Sequence, residues 1–409
     1  MYDSAPSPSR RRFLAGTAGL GSLALADRLA MAQRLAGTPA LTVEDIRGWG
    51  EIPGVVDIGD NENPFGPSPL AVRAVAERLL DVNRYDFGAT RELADAIGRH
   101  HGFPEPPPPP HRFAESTQPI YVEGGSSFIL RSVAERLGVQ RGSGEIIEAD
   151  PGYGGVTRFV RSYRDRVGVE VTLKRVPTTS DFRHDLPAML EAVTDSTTLV
   201  IITNPNNPTG TVVRQAELEE FVKAVPSRVT VLIDEAYIHF VREPGYGDSV
   251  ALAGRYPNVV VTRTFSKVYG LAGLRVGYAV AHPEVVDQLR FFGNGGGMSS
   301  TSCYAAMAAL DDQAFVRRVI RTTNDVKDYF YAELDRLDLG YTPSHSSFVL
   351  VDAGRDGREL VERMARRNIM LSRLGMDGNP RLTNFVRFSM GTPEEVQVAV
   401  TALRAELGA

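Results

Sequence analysis

A lysine framed by hydroxyl groups is the first residue in this chain that could do covalent chemistry. It lies in Thr262-Arg263-Thr264-Phe265-Ser266-Lys267, with Arg275 following in Gly273-Leu274-Arg275-Val276-Gly277. An amine partly buried near other cations loses its proton more readily and can condense with a carbonyl. Alone, such a lysine is most simply a solvated surface charge. Three other segments change that balance. Asn204-Pro205-Asn206-Asn207-Pro208-Thr209-Gly210 sets amides on a rigid turn directly after an apolar run. Asp234-Glu235-Ala236-Tyr237 ends another apolar run, and a carboxylate buried there requires a cationic partner. Gly124-Gly125-Ser126-Ser127 falls between a predicted strand and a predicted helix, where free N–H groups and the helix dipole would hold a phosphate.

These residues need a scaffold, and the apolar pattern supplies one. Runs rich in Val and Ile at 120–122, 145–149, 199–203, 229–234, 259–262 and 276–280 read as strands. Several are apolar at consecutive positions, as expected of a mainly parallel sheet covered on both faces. Amphipathic stretches at 128–137, 215–225 and 283–292 alternate with them, which predicts a three-layer α/β domain. After about residue 300 long helical patterns at 302–310 and 314–337 lead into a smaller α+β set. That set is strand Phe348–Asp352, helix 358–367, strand Phe385–Ser389 and helix Pro393–Leu407. The domains expected are therefore an arm at 33–75, a large domain at 76–300 and a small one at 301–409. Pro106 to Pro110 reads as a stiff surface loop, and Gly295-Gly296-Gly297 as a flexible one.

Composition removes several classes of function. The 409 residues are 43% apolar and 23% charged, enough for real cores and unlike a disordered or fibrous chain. Lys+Arg 45 against Asp+Glu 50 leaves a net charge of −5, with no basic excess for nucleic acid. A single cysteine, Cys303, excludes an internal disulfide and a cysteine zinc cage. Seven histidines are scattered without metal-ligand spacing, so no metal is expected.

The first 32 residues read differently. Ser9-Arg10-Arg11-Arg12-Phe13-Leu14 runs into an uncharged Gly-, Ala- and Leu-rich stretch ending at Ala26. That stretch is too short for a permanent membrane span. Small-x-small sites follow at Ala24-Leu25-Ala26 and Ala30-Met31-Ala32. The order resembles a twin-arginine signal peptide, cleaved after Ala26 or Ala32, and implies the twin-arginine export machinery and a periplasmic location.

From about Asp57 onward the chain resembles the fold-type-I, class I/II aminotransferases that use pyridoxal 5'-phosphate, and most closely their histidinol-phosphate aminotransferase branch. The motifs carrying the resemblance include Asn61-Glu62-Asn63-Pro64-Phe65-Gly66-Pro67-Ser68-Pro69, Arg84-Tyr85, the turn at 204–210, Asp234 to Tyr237, Ser266-Lys267 with Arg275, and Arg387 ahead of Gly391-Thr392-Pro393-Glu394-Glu395. The resemblance implies the pyridoxal-phosphate transferase fold and transfer of an amino group between an amino acid, or similar amine, and a 2-oxo acid or related carbonyl. It implies that Lys267 holds the cofactor aldehyde as a Schiff base and then shuttles the substrate proton. Asp234 would pair with the pyridine nitrogen, and Tyr237 and Asn207 would bond the ring oxygen. Tyr153 would stack on the ring. Gly125, Ser126, Ser127, Thr264, Ser266 and Arg275 would hold the phosphate. Tyr85 resembles a tyrosine that reaches the neighbouring subunit's phosphate, implying a homodimer. Asn63 and Arg387 fall on the substrate side, with Arg387 forked onto a carboxylate or equivalent end group.

On that side the pattern departs from the branch. Gly297-Met298-Ser299-Ser300 and Ser346-Ser347-Phe348 stand where Asn-Val-Asn-like and Ala-Asn-Phe stretches are expected, and Arg373 is displaced by about one place. These departures leave the cofactor residues intact and fall on the side that would select histidinol phosphate, so the resemblance does not fix the substrate. Decarboxylation and amine oxidation on the same cofactor are alternatives, as is a non-catalytic homologue that binds cofactor without turnover.

Overall fold

In a computed structural model, residues 54–111, 114–139, 142–291, 298–372, 374 and 379–408 are described. The proposed leader, the arm as far as residue 53, the Gly295-Gly296-Gly297 segment and Arg373 lie outside them.

Strands β1 (Val56–Ile58), β2 (Ile120–Glu123), β3 (Ser143–Asp150), β4 (Glu170–Pro177), β5 (Thr197–Thr203), β6 (Thr230–Asp234), β7 (Val259–Thr264), β8 (Gly277–Ala281), β9 (Tyr341–Thr342), β10 (Phe348–Asp352), β11 (Ile369–Leu371) and β12 (Phe385–Ser389) form three sheets. The large sheet has the order β2-β8-β7-β6-β5-β3-β4. Pairs from β4 through β7 are parallel, while β8 runs antiparallel to both β7 and β2. This is the mostly parallel, three-layer α/β arrangement expected from the consecutive apolar positions.

Strand alternation divides the sheet's side chains between two cores. Ile146, Leu199, Ile201, Leu232 and Val260 pack with Ile129, Leu130 and Val133 of helix Ser126–Val133 and Val156 and Val160 of helix Gly155–Val167. Ile147, Val200, Ile202, Val231, Ile233, Val259 and Val261 face the other way, against Leu93 and Ile97 of helix Ala89–His100 and Leu218 and Phe221 of helix Gln215–Ala224.

A separate core gathers Ile58, Val349, Val351, Leu360, Met364, Val386, Phe388, Val400 and Leu403 around the antiparallel sheet β12-β10-β9 and the parallel pair β1-β11. Its last helix, Pro393–Leu407, starts with a capping box between Thr392 and Glu395, with proline in the first turn. Helix Gln313–Arg336 serves both cores: Phe315, Val316 and Val319 belong to the large one, and Val326, Phe330 and Leu334 to the small one. At 24 residues it spans about 36 Å. The change of core thus falls within this helix, and helix Ser300–Asp311 packs Cys303, Ala305, Ala306 and Ala309 into the large core.

Candidate active site

The carboxyl ends of β5, β6 and β7 open toward the first strand of the small core, and the polar segments converge there. The turn after β5 is fixed by side chains on backbone. Asn204 Nδ2 donates to Val213 O (3.0 Å) and its Oδ1 accepts from Val213 N (2.8 Å). Asn206 Nδ2 donates to Pro151 O (3.0 Å). These bonds leave Asn207 facing the cleft.

Asp234, the last residue of β6, is 4% exposed and lies on the face that carries helix Ser126–Val133. It accepts from Thr262 Oγ1 of β7 at 3.0 Å, and it has no ion-pair partner among the described residues. Burial pushes its carboxyl up to about 6, against the bonds from Thr262 and the Ala236 N–H. A buried carboxylate so placed lacks the cation that its charge requires.

Lys267 follows β7 and reaches back over the same cleft. Its Nζ donates to Asn61 O (3.0 Å) and Asp60 O (3.3 Å), and stands 5.6 Å from the centre of the Tyr237 ring. Tyr237 meets Phe348 edge to face, with centroids 5.1 Å apart, and its hydroxyl accepts from Asn61 Nδ2 at 2.9 Å.

The glycine-serine segment forms an anion cradle. Gly125 has φ +92°, and a Cβ there would collide with the Arg275 guanidinium. A Cβ on Gly277 would strike Ser126 N. Both glycines therefore let the start of helix Ser126–Val133 approach Arg275 closely. Thr264 Oγ1 donates to Ser266 Oγ (3.0 Å) and accepts from Ser266 N (3.0 Å), and Arg275 Nη1 lies 3.5 Å from Ser266 Oγ. Amide donors, hydroxyls and a guanidinium around one concavity suit a phosphate dianion. Tyr153 stands beside the cradle, its ring closed in by Gly155, and burial raises its phenol, with the Asp234 charge adding to the effect.

Arg387 of β12 reaches in from the small core. It donates Nη1 to Asn207 Oδ1 (2.9 Å) and Nη2 to Gly59 O (2.6 Å), while the buried Nε has no partner. Burial lowers its pKa, so its charge is undercompensated.

Two assigned residues stand apart from these side chains, and for Tyr85, assigned to a neighbouring subunit's phosphate, that is no departure. Asn63 spends its side chain on backbone, donating to Val268 O (2.9 Å) and accepting from Phe65 N (3.0 Å), which ties its segment to the residue after Lys267. The asparagine that touches Tyr237 is Asn61, which the sequence reading did not single out; its left-handed φ of 55° turns it inward. Tyr85 is 87% exposed, stacked on Phe87, and outside this chain's own cleft.

Among the described residues no group of His, Cys, Asp and Glu is arranged to hold a metal ion, and no helix is long and apolar enough to cross a membrane.

The family model for aminotransferase class I and II matches residues 53–403. The chain is 36% identical over 370 residues to a histidinol-phosphate aminotransferase of Symbiobacterium thermophilum, covering 90% of this chain and 95% of that one. It is 35% identical over 368 residues to the Moorella thermoacetica enzyme of the same name, covering 90% and 89%. Among solved structures, histidinol-phosphate aminotransferase from Sinorhizobium meliloti, in complex with pyridoxal-5'-phosphate, matches with a TM-score of 0.76 and 27% identity. That match covers 91% of this chain and 96% of that one. This chain belongs to the aminotransferase class I and II family. It is an aminotransferase with pyridoxal phosphate as its cofactor, moving an amino group between an amino acid or similar amine and a 2-oxo acid or related carbonyl.

Proposed function

We propose that the cleft between β6, β7 and β12 is the transamination site, with Lys267 as the amine that carries the cofactor. The observation that carries this reading is Asp234: a buried carboxylate without a cation, beside a phosphate-shaped cradle and below the only lysine of the cleft among the described residues. A protonated pyridine ring would be that missing cation, and the cofactor when bound would supply a sink for the electron pair left at the substrate carbon.

The remaining work falls to side chains. Asp234 would keep the ring nitrogen protonated, with Thr262 orienting the carboxylate. Tyr237 and Asn207 would donate to the ring oxygen. Gly125, Ser126, Ser127, Thr264, Ser266 and Arg275 would hold the phosphate, and Tyr153 would stack on the ring. Lys267 Nζ gives up its carbonyl partners at Asp60 and Asn61 and carries a proton to and from the substrate carbon. Arg387, with Nε unpaired and its charge desolvated, orients the substrate by a carboxylate or equivalent anionic end.

The relatives are named for histidinol phosphate, but Ser346-Ser347-Phe348 replaces the pattern of that branch beside Arg387. We therefore assign an amino-acid-like donor without naming it. We assign Tyr85 to a second copy's cleft in a homodimer, a reading supported by its lying with Leu80, Val82 and Phe87 in an exposed apolar stretch. Residues 1–32 support twin-arginine export to the periplasm. Full-length, uncleaved protein in the cytoplasmic fraction would overturn the export reading.

The test is a single half-reaction. Mixing cofactor-loaded protein with a candidate amino donor should give stoichiometric pyridoxamine phosphate and oxo acid. Released carbon dioxide or hydrogen peroxide would instead favour decarboxylation or amine oxidation, and no reaction with any amine would favour a non-catalytic binder.

A further inference from the structure

Asp234 and Glu235 are consecutive buried acids, 4% and 1% exposed, and alternation sends them to opposite faces of the large sheet. Their neighbours on β7 alternate in step: Thr262 and Thr264 face the cleft, and Arg263 faces away. Arg263 is 5% exposed and binds Glu235 through Nε (3.0 Å) and Nη2 (2.7 Å), with a further bond from Nη2 to Asp248 (2.6 Å). The protein thus gives a guanidinium to the acid that does no chemistry and none to the acid that does.

A buried pair of this kind is a weak source of stability, since desolvation offsets its attraction, and apolar residues of similar volume often do as well. Its place suggests another use. The Glu235 N–H donates to Thr262 O (2.9 Å), and Asp234 O accepts from Asn204 N (2.9 Å), so the pair locks the strand ends that carry Asp234, Thr262, Thr264 and the 204–210 turn. Tyr246 adds a clamp by donating to Asn204 O at 2.9 Å, with Glu235 Oε1 at 3.4 Å.

We propose that Arg263 is a positioning residue for the cofactor site, neutralising Glu235 so that Asp234 is the one acid at the end of β6 left for the pyridine nitrogen. The proposal rests on the reading of this cleft as the cofactor site. Charge bookkeeping on the far face is simple. His101, which contacts Tyr278 Oη at 3.0 Å, is held down to about 4 by burial and by Arg263, and His239 to about 3. His100 is lowered by the same causes. Burial raises the phenols of Tyr246, Tyr269 and Tyr278, so they stay neutral. Among the described residues, Glu235 and the half-exposed Asp248 are the acids that pair with the guanidinium. On the near face Asp234 accepts from Thr262 and is acted on by the Lys267 charge, its own charge raises the Tyr153 phenol, and the Glu235 charge pushes it upward.

The test reads the pH at which bound cofactor is lost on acidification, followed by its visible absorbance with far-UV circular dichroism in parallel. Charge sign makes the expected pattern specific. Arg263→Met leaves Glu235 uncompensated and moves the midpoint up by about half to one pH unit. The isosteric Glu235→Gln frees a cation and moves it down by a similar amount. The double variant returns close to the wild-type value. A merely structural pair would move both single variants the same way. Wild-type protein that develops no visible absorbance with pyridoxal phosphate overturns the cofactor reading and this inference with it. Normal wild-type absorbance, with both single variants shifted in one direction or neither shifted, overturns this inference alone.

Discussion

Arg387 and Asn207 join the two cores across the cleft: Nη1 of the β12 arginine donates to Oδ1 of the turn asparagine at 2.9 Å. One guanidinium therefore fixes the Asn207 side chain and Gly59 O while its Nε has no partner, and on the proposed reading that Nε is the donor left for the substrate. A lysine can make only one of these contacts well, because it lacks the planar fork. Arg387→Lys is expected to raise KM for the oxo acid about 10- to 100-fold while cofactor stays bound. Steady-state kinetics on the donor found by screening, with the visible spectrum recorded alongside, checks both halves.

Gly125 allows the cradle to close. Its positive φ and the space occupied by the Arg275 guanidinium leave no room for a methyl group. Gly125→Ala should weaken pyridoxal phosphate at least about tenfold, since it strains the backbone and displaces the arginine together. Equilibrium dialysis measures this directly, and thermal unfolding of cofactor-free protein should change far less.

The cofactor-free protein should carry a pH signature from Asp234. Its folded pKa of about 6 exceeds the ordinary 3.8, so the folded state holds the proton more tightly than the unfolded chain. Stability then falls as pH rises from about 4 to about 6 and carries the full cost above that, about 3 kcal/mol. Asp234→Asn removes this dependence. The variant without cofactor should be more stable than wild type at pH 7 and equal to it below about pH 4, by urea unfolding across that range.

Lys327 offers a second, opposite slope. It is fully buried at the passage of helix Gln313–Arg336 between the cores, and Nζ donates to Ser346 O at 2.8 Å. Burial lowers its pKa to about 7 from 10.5, so the unfolded chain binds the proton more tightly between those values. Wild-type stability should rise with pH from about 7 toward 10, and Lys327→Met should flatten that rise. Urea midpoints at pH 7 and 9 for both proteins decide it.

The strands that position the chemistry were legible because they are buried on both faces and so apolar at consecutive positions; the runs at 145–149 and 229–234 fall inside or on β3 and β6. Strand β4 was not, because it lies at the sheet edge and mixes Glu170, Thr172, Lys174 and Arg175 with its buried Val171 and Val176. The residues of the cleft could be picked out as motifs following strands. Which asparagine of Asn61-Glu62-Asn63 faces Tyr237 could not, since a single left-handed residue decides it and periodicity carries no trace of backbone handedness. The Arg263–Glu235 pair was equally hidden. Both residues stood inside motifs quoted for their neighbours, and only alternation across paired strands separates the two acids by face.

The central claim is one covalent linkage, and it can be trapped. Borohydride reduction of protein saturated with pyridoxal phosphate, followed by peptide mass spectrometry, should find the phosphopyridoxyl group on Lys267 at close to one per chain. It should find none on the Lys267→Ala variant. An unmodified Lys267 in saturated wild-type protein, or a label carried by another lysine, would contradict the account.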